Sequence, residues 1–211
     1  YSLALAADLQ KTIEAHYRNY EFHPAVSKIL GFCSEDLGGF YLDILKDRLY
    51  TMAPNSPGRR SAQNALFHIT QHLLKWLSPF LSFTAEEAWQ SYPHFAKQPK
   101  SPSIFTEQFG SFPDIANQNE LLQKWQRIRE IRSEITKAIE VEREAGKIGS
   151  SLQAELSIEV AASDFALLNS LGVDLRFVTI TSKAEITQSN SNAMAITVKP
   201  STAQKCARCW H

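Results

Sequence analysis

The chain has 211 residues, 44% of them hydrophobic and 21% charged, with 22 basic and 22 acidic side chains in balance. Zero net charge excludes a protein that coats nucleic acid by bulk charge but leaves room for a local basic patch. No apolar run approaches the ~20 residues of a membrane helix, no basic-then-apolar leader opens the chain, and Cys33, Cys206 and Cys209 are too few for a disulfide framework. The resulting expectations are no membrane association, a cytoplasmic setting and, from the opening Tyr1, an excised fragment.

In chain order, Leu5, Leu9, Ile13 and Tyr17 recur every four residues and predict a helix over 2–20. Pro24 suits the first turn of a second helix, whose expected face carries Val26, Ile29, Leu30 and Cys33. The 3–4 spacing of Leu37, Phe40, Tyr41, Ile44, Leu45, Arg48 and Leu49 predicts a further helix over 34–50. Gly38 and Gly39 inside it cost about 1 kcal/mol each against alanine, which suggests close packing on a neighbouring helix. After the loop 53–58, Ser56 and Pro57 read as N-cap and first helical residue. The helix they open carries Ala62, Ala65, Leu66, Ile69, Leu73, Trp76 and Leu77, and Pro79 ends it. Thr84 to Glu87 has the capping-box form and predicts a short helix through Trp89.

Residues 93–118 lack a period and predict an ordered but irregular connection pinned by Phe95, Ile104, Phe105, Phe109 and Phe112. Leu121, Trp125, Ile128, Ile135 and Ile139 then mark a long helix over 119–144, broken by Gly146 and Gly149. Residues 154–160 alternate as a strand. A short helix follows, capped by Ser163 or Asp164 and stopped at Gly172, and 174–181 and 193–199 read as two more strands. The expected fold is mostly α: a helical bundle over 1–150 followed by a small α/β unit over 151–204.

Catalytic signatures are absent: there is no glycine-rich phosphate loop, no G-x-S-x-G and no H-E-x-x-H. His68 and His72 have metal-ligand spacing without the acidic residue of the known motif, and a packed or solvated pair is the stronger reading. Glu86 and Glu87 fit capping better than acid–base work. Arg59 and Arg60 in a first helical turn oppose the helix dipole, so they serve either a partner or solvent. With Leu121 at zero and ~100° per residue, Arg129, Arg132 and Arg143 fall at about 80°, 20° and 40°, beside Trp125 at about 40°. Such a flank can hold phosphates and stack on a base, or cover apolar surface and pair with Glu140. Lys46 and Arg48 follow the same logic. The terminal Cys206-x-x-Cys209 offers two thiolates at zinc-knuckle spacing, two of the four ligands a structural zinc takes.

DLGGFYLDILKDRLYT (36–51), SPGRRSAQNALFHI (56–69), PFLSFTAEEAWQ (79–90), KIGSSLQAEL (147–156) and KCARCWH (205–211) together resemble the C-terminal part of the bacterial isoleucine–tRNA ligases, class I aminoacyl-tRNA synthetases. The resemblance implies an anticodon-binding helical bundle over 1–150, a junction subdomain over 151–204 and, over 205–211, the first half of a truncated zinc ribbon. It implies that the bundle grips the anticodon arm of tRNA(Ile), in a monomer, while a catalytic domain earlier in the chain uses ATP and Mg to charge isoleucine and an inserted domain hydrolyses mischarged valine. No H-I-G-H, no K-M-S-K-S and no second cysteine pair occurs here; aminoacylation and editing are therefore expected of the parent protein and not of the fragment, and zinc is expected in the parent protein, the site being incomplete in this fragment alone. The resemblance places tRNA contacts at Arg59, Arg60, Lys46, Arg48, Arg129, Arg132, Arg143 and Trp210, and zinc at Cys206 and Cys209. Three alternatives stay open: the equivalent domain of a valine- or leucine-type synthetase, a helical protein-interaction module with no RNA role, and a thiol oxidoreductase using the terminal cysteines.

Overall fold

Apolar periodicity and end signals shape the helices. The computed structural model describes residues 1–93, 101–189, 191, 193–204, 206 and 207. Its helices are α1 (Ser2–Arg18), α2 (Phe22–Gly31), α3 (Leu42–Ile44), α4 (Lys46–Tyr50), α5 (Pro57–Leu77), α6 (Ser82–Ser91), α7 (Gln118–Glu144), α8 (Ala162–Asn169) and α9 (Leu175–Thr179). A three-stranded sheet is formed by β1 (Ala154–Val160), β2 (Lys183–Gln188) and β3 (Ala195–Pro200). The protein is thus mostly helical with a small sheet. It divides into two compact units, Tyr1–Tyr41 with Ala53–Gln118, and Leu42–Met52 with Asn119–His211.

In the first unit, α1, α2 and α5 close on Ala6, Ile13, Ile29, Phe32, Leu37, Ile69 and Trp76. The start of α5 follows the sequence signal: the Ser56 hydroxyl accepts from the Arg59 backbone N–H at 3.3 Å, and Pro57 occupies the first turn. On α2 the buried positions are Ala25 and Ile29, whereas Leu30 is exposed, so the expected face is rotated.

The expected helix over 34–50 is not continuous. Phe32–Tyr41 winds as a π-helix, followed by the short α3 and α4. Gly38 and Gly39 belong to that wider helix. A Cβ at Gly38 would stand 3.1 Å from the Cys33 carbonyl oxygen, and one at Gly39 3.3 Å from that of Ser34. The crowding comes from their own helix one turn earlier, not from a neighbouring helix.

The Thr84 capping box is also replaced. Helix α6 starts at Ser82 with no side-chain cap, and Glu86 reaches across to accept from the Ser103 hydroxyl and the Ile104 N–H, both at 2.9 Å. That contact helps hold the irregular segment after residue 101. Ile104 buries with Leu74, Trp89 and Tyr92, and Phe109 and Phe112 pack on the larger core. Phe105 does not join them; it stays exposed. Phe95 lies outside the described residues.

In the second unit, α7 buries Ile128, Ile131, Ile135 and Ile139. Strand β1 is central in the order β2-β1-β3, parallel to β2 and antiparallel to β3. Its alternation puts Ala154, Leu156, Ile158 and Val160 inside. The expected strand over 174–181 is a short helix instead. Leu175, Val178 and Thr179 are buried at a spacing of three and four, and Ile180, at φ +56°, ends the turn. Neither Ser163 nor Asp164 caps α8; the Asp164 carboxylate accepts two bonds from Arg127, at 3.0 and 2.7 Å. The guanidinium pulls the Asp164 carboxyl below its ordinary value, against the opposite push of burial.

Candidate nucleic-acid interface

In the first unit, Arg59 and Arg60 stand in the opening turn of α5. Arg59 is half-buried and Arg60 exposed. Among the described residues, the Arg60 guanidinium donates only a long 3.4 Å bond, to the Gln63 side-chain oxygen. Two cations at the positive end of a helix carry a local electrostatic cost. The helix then repeats polar and aromatic residues at three and four: Arg60, Gln63, Asn64, Phe67, His68.

Beside them opens a cavity of about 750 Å³, whose lining includes these five residues with Leu66, Thr70, Tyr92 and Pro93. Phe67 and Tyr92 stack, with ring centroids 5.2 Å apart at 26°. The Tyr92 hydroxyl donates to the Phe67 carbonyl at 2.7 Å, and burial pushes its pKa upward. His68 meets Phe67 edge-on at 5.5 Å, and burial lowers its pKa, which favours the neutral ring. Among the described residues, no carboxylate lines it.

His72, one turn on, faces the interior. Its Nδ1 lies 2.7 Å from Gln10 Oε1, and its ring stacks on Phe112 at 3.8 Å. Burial, then Lys75 and His68, hold its pKa down to about 4. The two histidines therefore do different work and form no metal pair; among the described residues no group of three or more His, Cys, Asp and Glu could hold an ion.

The second unit carries the other predicted cations, and most share a carboxylate. Lys46 pairs with Asp43, Arg48 with Asp174 at 2.7 Å, and Arg143 with Glu140 at 3.1 Å. Arg132 is turned inward. Its Nε donates to the Val178 carbonyl at 2.8 Å, Asp43 lies 4.0 Å away, and burial, the leading influence, lowers its pKa. Arg129 lies close enough to add a further downward push. The structure brings Arg129, Arg132, Asp43 and Lys46 into one neighbourhood, and leaves Arg143 on the exposed last turn of α7.

A family model for the anticodon-binding domain of tRNA ligases matches residues 1–160. The chain belongs to this family. Its relatives include the isoleucine–tRNA ligase of Cupriavidus necator, 55% identical over the whole of this chain and 22% of the relative. Those of Ralstonia pickettii, 55% identical, and Burkholderia mallei, 53% identical and named isoleucine–tRNA ligase 1, match with the same coverage. The chain thus spans about a fifth of the length of the curated relatives it matches.

For an anticodon-binding domain, the sequence pointed to charge and missed the amides. Gln63, Asn64 and Tyr92 were passed over, although Gln63 and Asn64 lie three and four residues beyond Arg60, and so on the same side of α5. Of the terminal motif, Cys206 is exposed on irregular chain. Cys209 and Trp210 lie outside the described residues. Two thiolates do not complete a four-ligand zinc site, so the donors present fit only half of one.

Proposed function

We propose that this domain binds the anticodon arm of tRNA(Ile) within a cytoplasmic, monomeric isoleucine–tRNA ligase, with Arg59 and Arg60 as phosphate contacts. The observation that carries the reading is the exposed Arg60, which pairs with no carboxylate among the described residues, beside a cavity lined in part by Phe67 and Tyr92. Phosphate contacts supply affinity, and unstacked loop bases supply recognition. Charging isoleucine with ATP and Mg, and removing mischarged valine, are assigned to other domains of the same protein. Cys206 and Cys209 are assigned as one pair of a zinc site whose remaining ligands lie elsewhere, with Trp210 beside it as a stacking residue.

In the second unit, Lys46 and Arg143 are exposed enough to exchange Asp43 and Glu140 for a phosphate. Arg129 is kept as a candidate contact, whereas Arg48 and Arg132 act first as structural ties. These pairings also favour a second reading for this unit, a protein-docking surface within the larger enzyme.

Replacing Arg59 and Arg60 together by alanine is expected to weaken binding of an isoleucine anticodon stem-loop by about tenfold. It should also flatten the salt dependence by roughly one to two contacts in the log–log slope. Unchanged affinity and slope, in a variant with unchanged circular dichroism, would remove both arginines from the interface.

A further inference from the structure

In the second unit one carboxylate lies between two cations that are held very differently. Asp43 presents Oδ1 to the Lys46 ammonium and Oδ2 to the Arg132 guanidinium, 4.0 Å away. The Arg132 side chain is only 19% exposed, and its Nε is fixed on the Val178 carbonyl at 2.8 Å. Lys46, three residues beyond Asp43, is 69% exposed, so solvent reaches its ammonium. Its hydrogen bond to Asp43, and then the charge of that carboxylate, raise its pKa, so Lys46 stays fully cationic. Arg129 stands close enough to press on the Arg132 guanidinium with a like charge.

A carboxylate with one oxygen on an ammonium and the other toward a guanidinium takes the place that two oxygens of a phosphodiester would fill. The outer half of this arrangement is weak, because an exposed pair is screened by water and salt. The inner half is anchored, because Arg132 is tied to Val178 and does not follow Lys46 into solvent. When Lys46 turns to a phosphate, Asp43 is left beside Arg132 and is not stranded without a counter-charge. The exchange therefore costs little, yet the incoming phosphate still meets a carboxylate of its own sign next to the ammonium.

We propose that Asp43 is a resident competitor for an RNA backbone phosphate at Lys46: it holds the ammonium in the RNA-free protein, falls back on Arg132 when the phosphate arrives, and keeps this contact weak. The proposal rests on the reading of Lys46 as a contact to the anticodon arm and adds the residue that limits it. A phosphate contact carries no sequence information. A competitor at that point weakens every RNA alike and leaves a larger share of the affinity to the contacts that read bases.

The test reads the sign of an affinity change. Asp43→Asn keeps the size of the side chain and removes its charge, and Asp43→Ser removes the charge with a different side chain, so the result does not hang on the folding of one variant. Each 211-residue chain is titrated at two salt concentrations against the isoleucine anticodon stem-loop and against an unrelated RNA hairpin. Both variants are expected to bind both RNAs about threefold more tightly than the wild type at low salt, with the gain fading as salt rises. On a Lys46→Gln background, Asp43→Asn should gain nothing, which separates competition at Lys46 from a general change in charge. A merely structural Asp43, which orients Lys46, predicts the opposite sign. Equal or weaker binding by both variants would overturn the proposal, as would the same gain on the Lys46→Gln background, and either would leave anticodon-arm binding standing. If the wild type binds no isoleucine stem-loop, the anticodon reading fails, and the competitor stands only on a gain with the unrelated hairpin. If no chain binds either RNA at low salt, both fall.

Discussion

Glu107→Ala is expected to destabilise the first unit by about 3 kcal/mol, read as a lower urea midpoint at unchanged slope. Glu107 Oε2 lies 2.8 Å from Lys75 Nζ, and the two side chains are only 18% and 9% exposed. Burial alone would raise the Glu107 carboxyl, but the Lys75 ammonium and the Ser101 hydroxyl reverse that and hold it below its ordinary value. Removing the carboxylate leaves the ammonium buried without its counter-charge, and the cost of such a change exceeds the worth of the pair itself. It also frees one end of the segment that Glu86 and Trp89 hold at Ser103, Ile104 and Ser101. A midpoint within experimental error of the wild type would mean that solvent already satisfies Lys75. Lys75→Met together with Glu107→Leu should recover most of the loss, because it removes both charges.

The second large effect is expected at Gln10. Its Oε1 takes the His72 Nδ1–H at 2.7 Å and the Trp76 Nε1–H at 3.3 Å, while its Nε2 donates to Glu14 at 2.9 Å and to the Gly110 carbonyl at 2.7 Å. One side chain therefore joins α1, α5 and the irregular segment. Gln10→Ala orphans two buried donors, and about 3 kcal/mol of stability should go with them. Gln10→Leu, which keeps most of the volume, should be nearly as damaging if the loss is polar, and mild if it is mainly a cavity effect.

The same network fixes a pH window. The His72 pKa is about 4 in the folded protein against an ordinary 6.5. The unfolded chain therefore binds the extra proton between these values, so the contribution of neutral His72 is full above pH 6.5 and is lost as pH falls toward 4. A His72→Phe variant should lack that part of the acid slope.

Much of this was legible in the sequence. The stripe of α7, the Ser56–Pro57 start of α5 and the alternation of β1 each follow from a single local signal. The π-helix was not legible, because Leu37, Phe40 and Tyr41 keep a 3–4 spacing whichever way the turn is wound. Helix α9 was misread because LRFVT is rich in β-branched and aromatic residues; five residues are too few for a 3.6 period to outweigh that preference. Capping at Thr84 was misread because α6 begins two residues earlier, at Ser82, which puts Thr84 inside the helix. Within the site, Arg132 falls about 20° from the origin of the α7 stripe, close to the buried isoleucines, so its inward turn could have been read from angle alone. The contribution of Tyr92 depends on α5 and α6 packing together and had no sequence signal.

The central claim is that this domain reads an anticodon arm, and its most direct test is a titration of the 211-residue chain against the isoleucine anticodon stem-loop at two salt concentrations, with valine and methionine stem-loops alongside. Tighter binding of the isoleucine loop, weakening steeply with salt, is the predicted result. No binding of any loop at low salt would contradict the account.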